Sequence, residues 1–343
     1  MRVREFSGDF FEIGKKEGEI YKKNGMRIYI KIIPSLYKKQ LKIYKEYYPE
    51  FLEEIEGIAS VVKCKKEKLI FNFICGEISF YKKFLEHSGC TAFGVENEKG
   101  VFIGRNLDWF PATEKFFEVY KVNFKRKRYS FTGITDMGIT TNKPDRRKFF
   151  YYPNDAINEK GLLISLLAAY NKKWNYGIES IFMTKYIAER CSSVEEAIET
   201  FKKTPVFLPM FFFIADKNGK MVVIEHNSKK FKVIYPKDGV LIHTNHYLDE
   251  ELKKEDIILK VNPSHSSFVR YYKTLMEINK RKENFDFSDV TRILTDKNLQ
   301  ICQNSKLRKT IWSLAADVKR GKYKLYWDIF EKKKEMLLNS IFN

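Results

Sequence analysis

Up to about residue 88 the apolar positions recur at helical spacing, and from Cys90 onward they fall into short alternating or continuous apolar runs. Ile28, Ile30, Ile32, Ile33 and Leu36, followed by Leu41, Ile43 and Tyr44, fit a helical face that the Tyr48-Pro49 step interrupts. A second helix is predicted after Pro49, carrying Phe51, Leu52, Ile55 and Ile58, and a third from Leu69 to about Leu85. Beyond Gly89, Thr91 to Val95 and Val101 to Arg105 flank the turn Glu96-Asn-Glu-Lys-Gly100 and predict a hairpin. Further strands are expected at 117–124, 129–134, 161–169, 210–215, 221–226, 230–235 and 240–244. Asp216-Lys-Asn-Gly219 has the composition of a tight turn between two of them. Helices are expected at about 178–190, at 193–203 behind a serine cap, at 265–282 and from Ser288 to about Leu294. Runs of strands separated by helix pairs predict stacked layers, with sheet faces covered by helices.

Composition narrows the class without naming a function. The 343 residues suffice for a large core in one domain or two, and 44% hydrophobic with 31% charged residues describes a globular chain. The start, Met1-Arg-Val-Arg-Glu-Phe-Ser-Gly8, lacks an apolar leader core, and the longest apolar runs are too short to span a bilayer. The expectation is a cytoplasmic protein without membrane insertion. Five cysteines (Cys64, Cys75, Cys90, Cys191, Cys302) without C-x-x-C spacing predict reduced thiols, neither a disulfide framework nor a zinc knuckle. The histidines His87, His226, His243, His246 and His265 show no metal-ligand spacing, so no metal and no cofactor is expected.

A net charge of +19 invites a nucleic-acid reading, with basic clusters at 125–128, 145–148 and 332–334. The lysines are interleaved with glutamates, however, and no nucleic-acid-binding signature accompanies them. No specific nucleic-acid partner is expected. A basic nucleic-acid-binding protein is kept as the alternative function.

One junction carries chemistry. Ser88-Gly89-Cys90-Thr91 is followed by Arg105 and Asp108 within Gly104-Arg-Asn-Leu-Asp-Trp109. A cysteine at a new chain start holds its nucleophile and its base together, because an α-amine of pKa roughly 7.7–8.0 can take the thiol proton. Arg105 would favour thiolate by its charge, and Asp108 could orient the amine. A small buried thiol opening a strand fits the same segment. Since positions three apart face opposite sides of a regular strand, both roles require Asp108 to lie beyond the strand end or after a bulge.

The stretches Gly89-Cys-Thr-Ala-Phe-Gly-Val95 and Gly104-Arg-Asn-Leu-Asp-Trp109 resemble the start of the mature chain in acyl-coenzyme A:6-aminopenicillanate acyltransferase-like proteins, the C45 peptidases. These are N-terminal-nucleophile (Ntn) hydrolases, related to choloylglycine hydrolase and penicillin V acylase. Phe11-Glu-Ile-Gly14, Glu53-Glu-Ile-Glu-Gly57, Asn158-Glu-Lys-Gly161, His243-Thr-Asn-His246 and Ser267-Phe-Val-Arg-Tyr271 extend the resemblance in order along most of the chain. It implies an α+β fold, a four-layer αββα Ntn sandwich, with residues 1–89 a helical pro-segment and 90–343 the catalytic domain after cleavage at Gly89-Cys90. It implies catalytic roles for Cys90, Arg105 and Asp108, an oxyanion donor in Asn245, and support of the nucleophile or a substrate carboxylate by Arg270. A turn asparagine and a structural ion pair are the plainer readings of the last two. The implied reaction is hydrolysis or transfer at a linear amide or an acyl thioester, with a small-molecule amide or acyl-CoA-like substrate. Where choloylglycine hydrolases carry a further oxyanion asparagine this chain has Ala168, with Asn171 three residues on.

Overall fold

The computed structural model describes residues 1–25, 31–87, 89–125, 128–136 and 151–338, and for 77 and 79–87 the backbone alone. Two sheets face each other. The first has eight strands: β1 (Arg2–Gly8), β4 (Glu118–Phe124), β5 (Phe131–Thr135), β6 (Asp155–Asn158), β7 (Leu163–Ala168), β8 (Met210–Ala215), β9 (Met221–His226) and β10 (Phe231–Ile234), in that spatial order. The second has six, ordered β11 (Val240–His243), β2 (Gly89–Asn97), β3 (Gly100–Trp109), β12 (Lys309–Asp317), β13 (Lys322–Trp327) and β14 (Lys334–Leu337). Where the sheets meet, backbone approaches side chain closely: a Cβ on Gly94 of β2 would sit 2.3 Å from the Met221 sulfur of β9.

Helices α5 (Ser180–Arg190) and α6 (Val194–Lys203) cover the eight-stranded sheet, while α8 (Ser267–Asn279), preceded by the single-turn α7 (Ile258–Val261), and α9 (Phe287–Thr295) cover the other. The result is the expected α+β, four-layer αββα arrangement. Strands buried on both faces read as continuous apolar runs, as in Met210-Phe-Phe-Phe-Ile-Ala215, every residue of which is buried. The surface helices carry their own start signals: Ser193 accepts from the Glu196 amide, and Asp286 and Asp289 form a reciprocal cap on α9.

The segment before Gly89 differs from expectation at its start. Residues 2–8 form β1, not helix, paired in parallel with β4, and the Arg4 guanidinium is bidentate on the buried Glu118 of that strand. Exposure alternates along the strand, with Arg4, Phe6 and Gly8 turned inward between Val3, Glu5 and Ser7, and Gly8 with φ +148° followed by the Asp9 cap ends the extended run. Helices then follow as α1 (Phe10–Lys23), α2 (Pro34–Tyr47), α3 (Pro49–Val62) and α4 (Lys66–His87). Ile28 and Ile30 of the expected first helix lie outside the described residues. α1 and α3 cross at backbone contact, since a Cβ on Gly14 would fall 2.0 Å from the Glu54 carbonyl and one on Gly57 2.2 Å from that of Phe11.

Polar groups buried between the first four helices and α5 join the two parts of the chain. Lys185 of α5 donates to Glu54 at 2.6 Å, both side chains being inaccessible, and Tyr48 donates to Glu189 at 2.9 Å. Nearby, Tyr44 and Gln40 of α2 both donate to one oxygen of Glu179, while its other oxygen and the Gln40 carbonyl find no donor among the described residues. Burial pushes the Glu179 carboxyl up to about 7, and a proton on the free oxygen would supply one missing donor. A raised carboxyl favours folding below its ordinary value of 4.5 and loses that contribution as pH rises through 7. Glu179→Gln should therefore gain stability over the wild type, on the order of 3 kcal/mol, between pH 5 and pH 8. Urea midpoints of both proteins at the two pH values measure this; a constant difference would place the titration elsewhere.

Two of the basic clusters are partly neutralised. Lys125 and Arg128 meet Glu12 and Glu50, and Lys334 meets Asp328, while 145–148 lies outside the described residues.

Candidate active site

Cys90 sits on β2, and the register with β3 decides what surrounds it. Gly89 lies opposite Asp108, Cys90 opposite Leu107 and Ala92 opposite Arg105. Alternation then points Cys90 and Arg105 toward the facing sheet, and Gly89, Thr91, Asn106 and Asp108 toward α8 and α9. Hydrogen bonds agree: Arg105 reaches Asp155 of β6 and the Leu166 carbonyl of β7, while Asn106 reaches the Leu294 carbonyl of α9.

Asp108 thus lies inside β3 and not beyond its end, and the only irregularity in this pairing is on β12, between Thr310 and Trp312. No bulge is needed because Asp108 serves the neighbouring residue: it stands across from Gly89, on the opposite side of the strand from the thiol. Gly89 has an ordinary extended strand conformation, so freedom of φ is not its purpose. Space is. A Cβ there would lie 2.9 Å from the Arg308 Cδ, 3.1 Å from Asp108 Oδ2 and 3.2 Å from the Asp108 Cβ.

Each charged group has a defined support. Arg105 is inaccessible; Nε donates to Asp155 at 2.9 Å, Nη2 to the Leu166 carbonyl at 2.8 Å and Nη1 to the Asn106 carbonyl. Burial works against its charge, but Asp155 and then Cys90 more than offset this and raise its pKa. The second oxygen of Asp155 accepts from the Trp312 indole at 2.6 Å, so the carboxylate is fully occupied and cannot swing to the thiol. Asp108 accepts from Thr310 at 2.6 Å through Oδ1, while Oδ2 is buried with no partner among the described residues. Burial raises its carboxyl despite the opposing pull of Arg270, Thr310 and Arg308.

The other side of Cys90 is held by Asn245 and Arg270. The Cys90 amide donates to Asn245 Oδ1 at 2.8 Å, and Arg270 Nη2 donates to the same oxygen at 2.7 Å. Two donors on one atom fix the side-chain orientation, leaving Nδ2 to donate to the Ala168 carbonyl at 3.0 Å. Arg270 also donates to the Cys90 carbonyl and to Thr91 Oγ1, and burial brings its pKa down to about 10, so it stays a cation at neutral pH. Ser267, at the start of α8, accepts from the Asn245 amide at 2.8 Å and locks the segment after β11 onto the helix carrying Arg270.

All five residues singled out in the sequence, Cys90, Arg105, Asp108, Asn245 and Arg270, are therefore assembled around one strand start, and Cys90 itself is buried. Asp155, Thr310, Trp312, Ser267 and Arg308 were not singled out. Asp155 had a signal: an acid in the apolar stretch just before Asn158-Glu-Lys-Gly161 needs a cationic partner if that stretch is a core strand. Asn171, three residues after Ala168, donates to Glu255 at 3.2 Å.

The four histidines with described side chains are buried. His243 bonds Glu225 at 2.7 Å, His265 bonds Tyr170 at 2.9 Å, and burial lowers His226 and His246 to about 3. Among the described residues no group of His, Cys, Asp or Glu is arranged to hold a metal ion, and no helix is long and apolar enough to cross a membrane.

Curated relatives resemble just over half of the chain. The chain is 28% identical to acid ceramidase of Mus musculus over 227 residues, covering 57% of the chain and 53% of that protein. It is 25% identical to the N-acylethanolamine-hydrolyzing acid amidase of Caenorhabditis elegans over 203 residues, 57% of the chain and 56% of the relative. The chain thus spans about half the length of these relatives. A conjugated bile acid hydrolase variant from Clostridium perfringens is a structural neighbour at a TM-score of 0.49 and 17% identity, over 73% of this chain and 93% of that one. The family model described as acyl-coenzyme A:6-aminopenicillanic acid acyl-transferase matches residues 95–332, which begins just after Cys90 and contains Arg105, Asp108, Asn245 and Arg270. With more than half of its length matched, the chain belongs to the acyl-coenzyme A:6-aminopenicillanic acid acyl-transferase family.

Proposed function

We propose that the protein is an autoprocessed N-terminal cysteine amidase or acyltransferase, with residues 1–89 as pro-segment and 90–343 as catalytic domain. The observation that supports it most is the grip on both sides of Cys90: Asn245 takes the amide of the Gly89–Cys90 bond, Arg270 the Cys90 carbonyl of the next bond, and Asp108 stands against Gly89. In maturation the Cys90 sulfur adds to the Gly89 carbonyl carbon, the Gly89–Cys90 C–N bond breaks, and the thiol proton passes to the departing nitrogen. Water then cleaves the Gly89 thioester, giving a Gly89 carboxylate and a free thiol beside the α-amine that the first step released. In turnover that amine takes the thiol proton as sulfur attacks a substrate amide or thioester, and returns it to the leaving group. Water or an amine resolves the acyl-enzyme.

Roles follow from placement. Arg105 lies on the thiol side, a buried cation held in place by Asp155 and the Leu166 carbonyl. The free oxygen of Asp108 is an acceptor for the new ammonium beside Gly89. Asn245 and Arg270 supply N–H groups at the strand start, where a tetrahedral oxyanion needs donors. The Asn245 amide is engaged with Ala168 before cleavage, so its oxyanion role requires release of that bond when the new terminus forms. The names of the relatives favour a linear N-acyl amide over a cyclic one. Five cysteines that form no disulfide among the described residues are in keeping with a reducing cytoplasm.

The direct test is trapping. The purified protein, given a p-nitroanilide or thioester of a simple carboxylic acid and quenched in acid, should gain one acyl mass on the peptide beginning at Cys90. Turnover with no acylated Cys90 under single-turnover conditions would remove the covalent mechanism.

A further inference from the structure

We infer that the site selects acyl groups that are unbranched at the carbon next to the carbonyl, and that Asp108 and Arg308 are the walls that impose this. The inference rests on the processing mechanism above. Maturation and turnover pass through the same kind of intermediate, a thioester on Cys90 Sγ. In maturation its acyl part is the end of the pro-segment, and the carbon next to the carbonyl is the Gly89 Cα. In the tetrahedral step of maturation the sulfur and the Cys90 nitrogen are both bonded to the Gly89 carbonyl carbon, so the walls around Gly89 are those that the α-carbon of an acyl group meets as this sulfur takes it up.

That surrounding is narrow. A carbon attached to Gly89 in the position of an L side chain would stand 2.9 Å from the Arg308 Cδ and 3.1 and 3.2 Å from the Oδ2 and Cβ of Asp108. Ordinary carbon contacts lie at about 3.5–4.0 Å, so both walls would have to move. Asp108 cannot do so cheaply: it is inaccessible, held inside β3 by ladder bonds on both sides, and fixed through Oδ1 to Thr310. Arg308 is tied by Nη1 to Ser266 at 3.3 Å, and Ser266 in turn takes the Arg270 Nε at 3.0 Å. Displacing the Arg308 stem would disturb the serine that steadies Arg270. A methylene fits where Gly89 sits, and a methyl-bearing carbon does not.

Two measurements with separate outcomes test this. In the first, Gly89→Ala places one methyl on the maturation acyl group; self-cleavage, followed by intact mass after expression and in a time course, should slow by about tenfold or more relative to wild type. Arg308→Ala in the same chain should recover part of the rate, with melting temperature confirming that each variant is folded. In the second, mature wild-type enzyme is assayed with the p-nitroanilides of butanoic acid and of each enantiomer of 2-methylbutanoic acid. The expected kcat/KM is lowest for the enantiomer whose methyl takes the L position. Equal cleavage of the wild-type and Gly89→Ala chains, or equal kcat/KM for branched and unbranched acyl groups, would overturn the inference while leaving the mechanism intact. A wild-type chain that never cleaves would instead remove the mechanism and the inference with it.

Discussion

Purified wild-type protein should give two masses, one chain ending at Gly89 and one beginning at Cys90, that elute together, while Cys90→Ala gives a single full-length chain without turnover. The loss should be complete in both respects because, in the proposed mechanism, one sulfur is the attacking atom in maturation and in catalysis. Co-elution follows from the buried bonds that cross the cut: Glu54 with Lys185, Tyr48 with Glu189, and the β1–β4 ladder. The alanine variant should fold normally, since the thiol contributes little beyond filling space between the sheets. A turning-over enzyme that stays a single chain would refute the α-amine as base.

Asn245 carries the second large effect. Asn245→Ala should lower kcat by about 10²–10³, as for loss of one oxyanion donor, and should change substrate affinity much less, because the charge develops only in the transition state. Asn245→Asp sharpens the reading. It keeps an acceptor for the Cys90 amide and for Arg270, but loses the N–H donors and adds a negative charge. If donation to the oxyanion is the role, Asp should be at least as poor as Ala in kcat. If the residue only anchors the strand start through its oxygen, Asp should process and turn over nearly as wild type, while Ala melts lower. kcat and melting temperature on the same preparations separate the two.

Helices α3 and α4 and the β2–β3 hairpin were legible because their signals are local: Pro49, an apolar face, a glycine-bearing turn. β1 was not, because a few alternating residues beside long helical segments carry no signal of their parallel partner more than a hundred positions away. The five candidate residues do come together at one strand start, but their arrangement was not legible. Requiring a strand end or a bulge before Asp108 assumed that the groups serving the thiol and the amine share one face; the register places Arg105 on the sulfur side of Cys90 and Asp108 against the peptide before it. Asp155, Trp312 and Arg308 escaped because their importance lies wholly in side-chain bonds across sheets and loops, which a period along the chain does not encode. Gly89 shows the same limit, since its small size answers to Asp108 and Arg308 and not to its own backbone angles.

The N-terminal strand also changes what maturation can safely do. β1 is the outermost strand of the eight-stranded sheet and occupies the open side of β4. A catalytic piece stripped of residues 1–89 would present β4 as a bare row of amide donors and acceptors, the template on which another chain adds a strand. The severed segment would then act as a permanent edge guard, and its loss should be seen first as self-association of the remaining piece, before any loss of secondary structure.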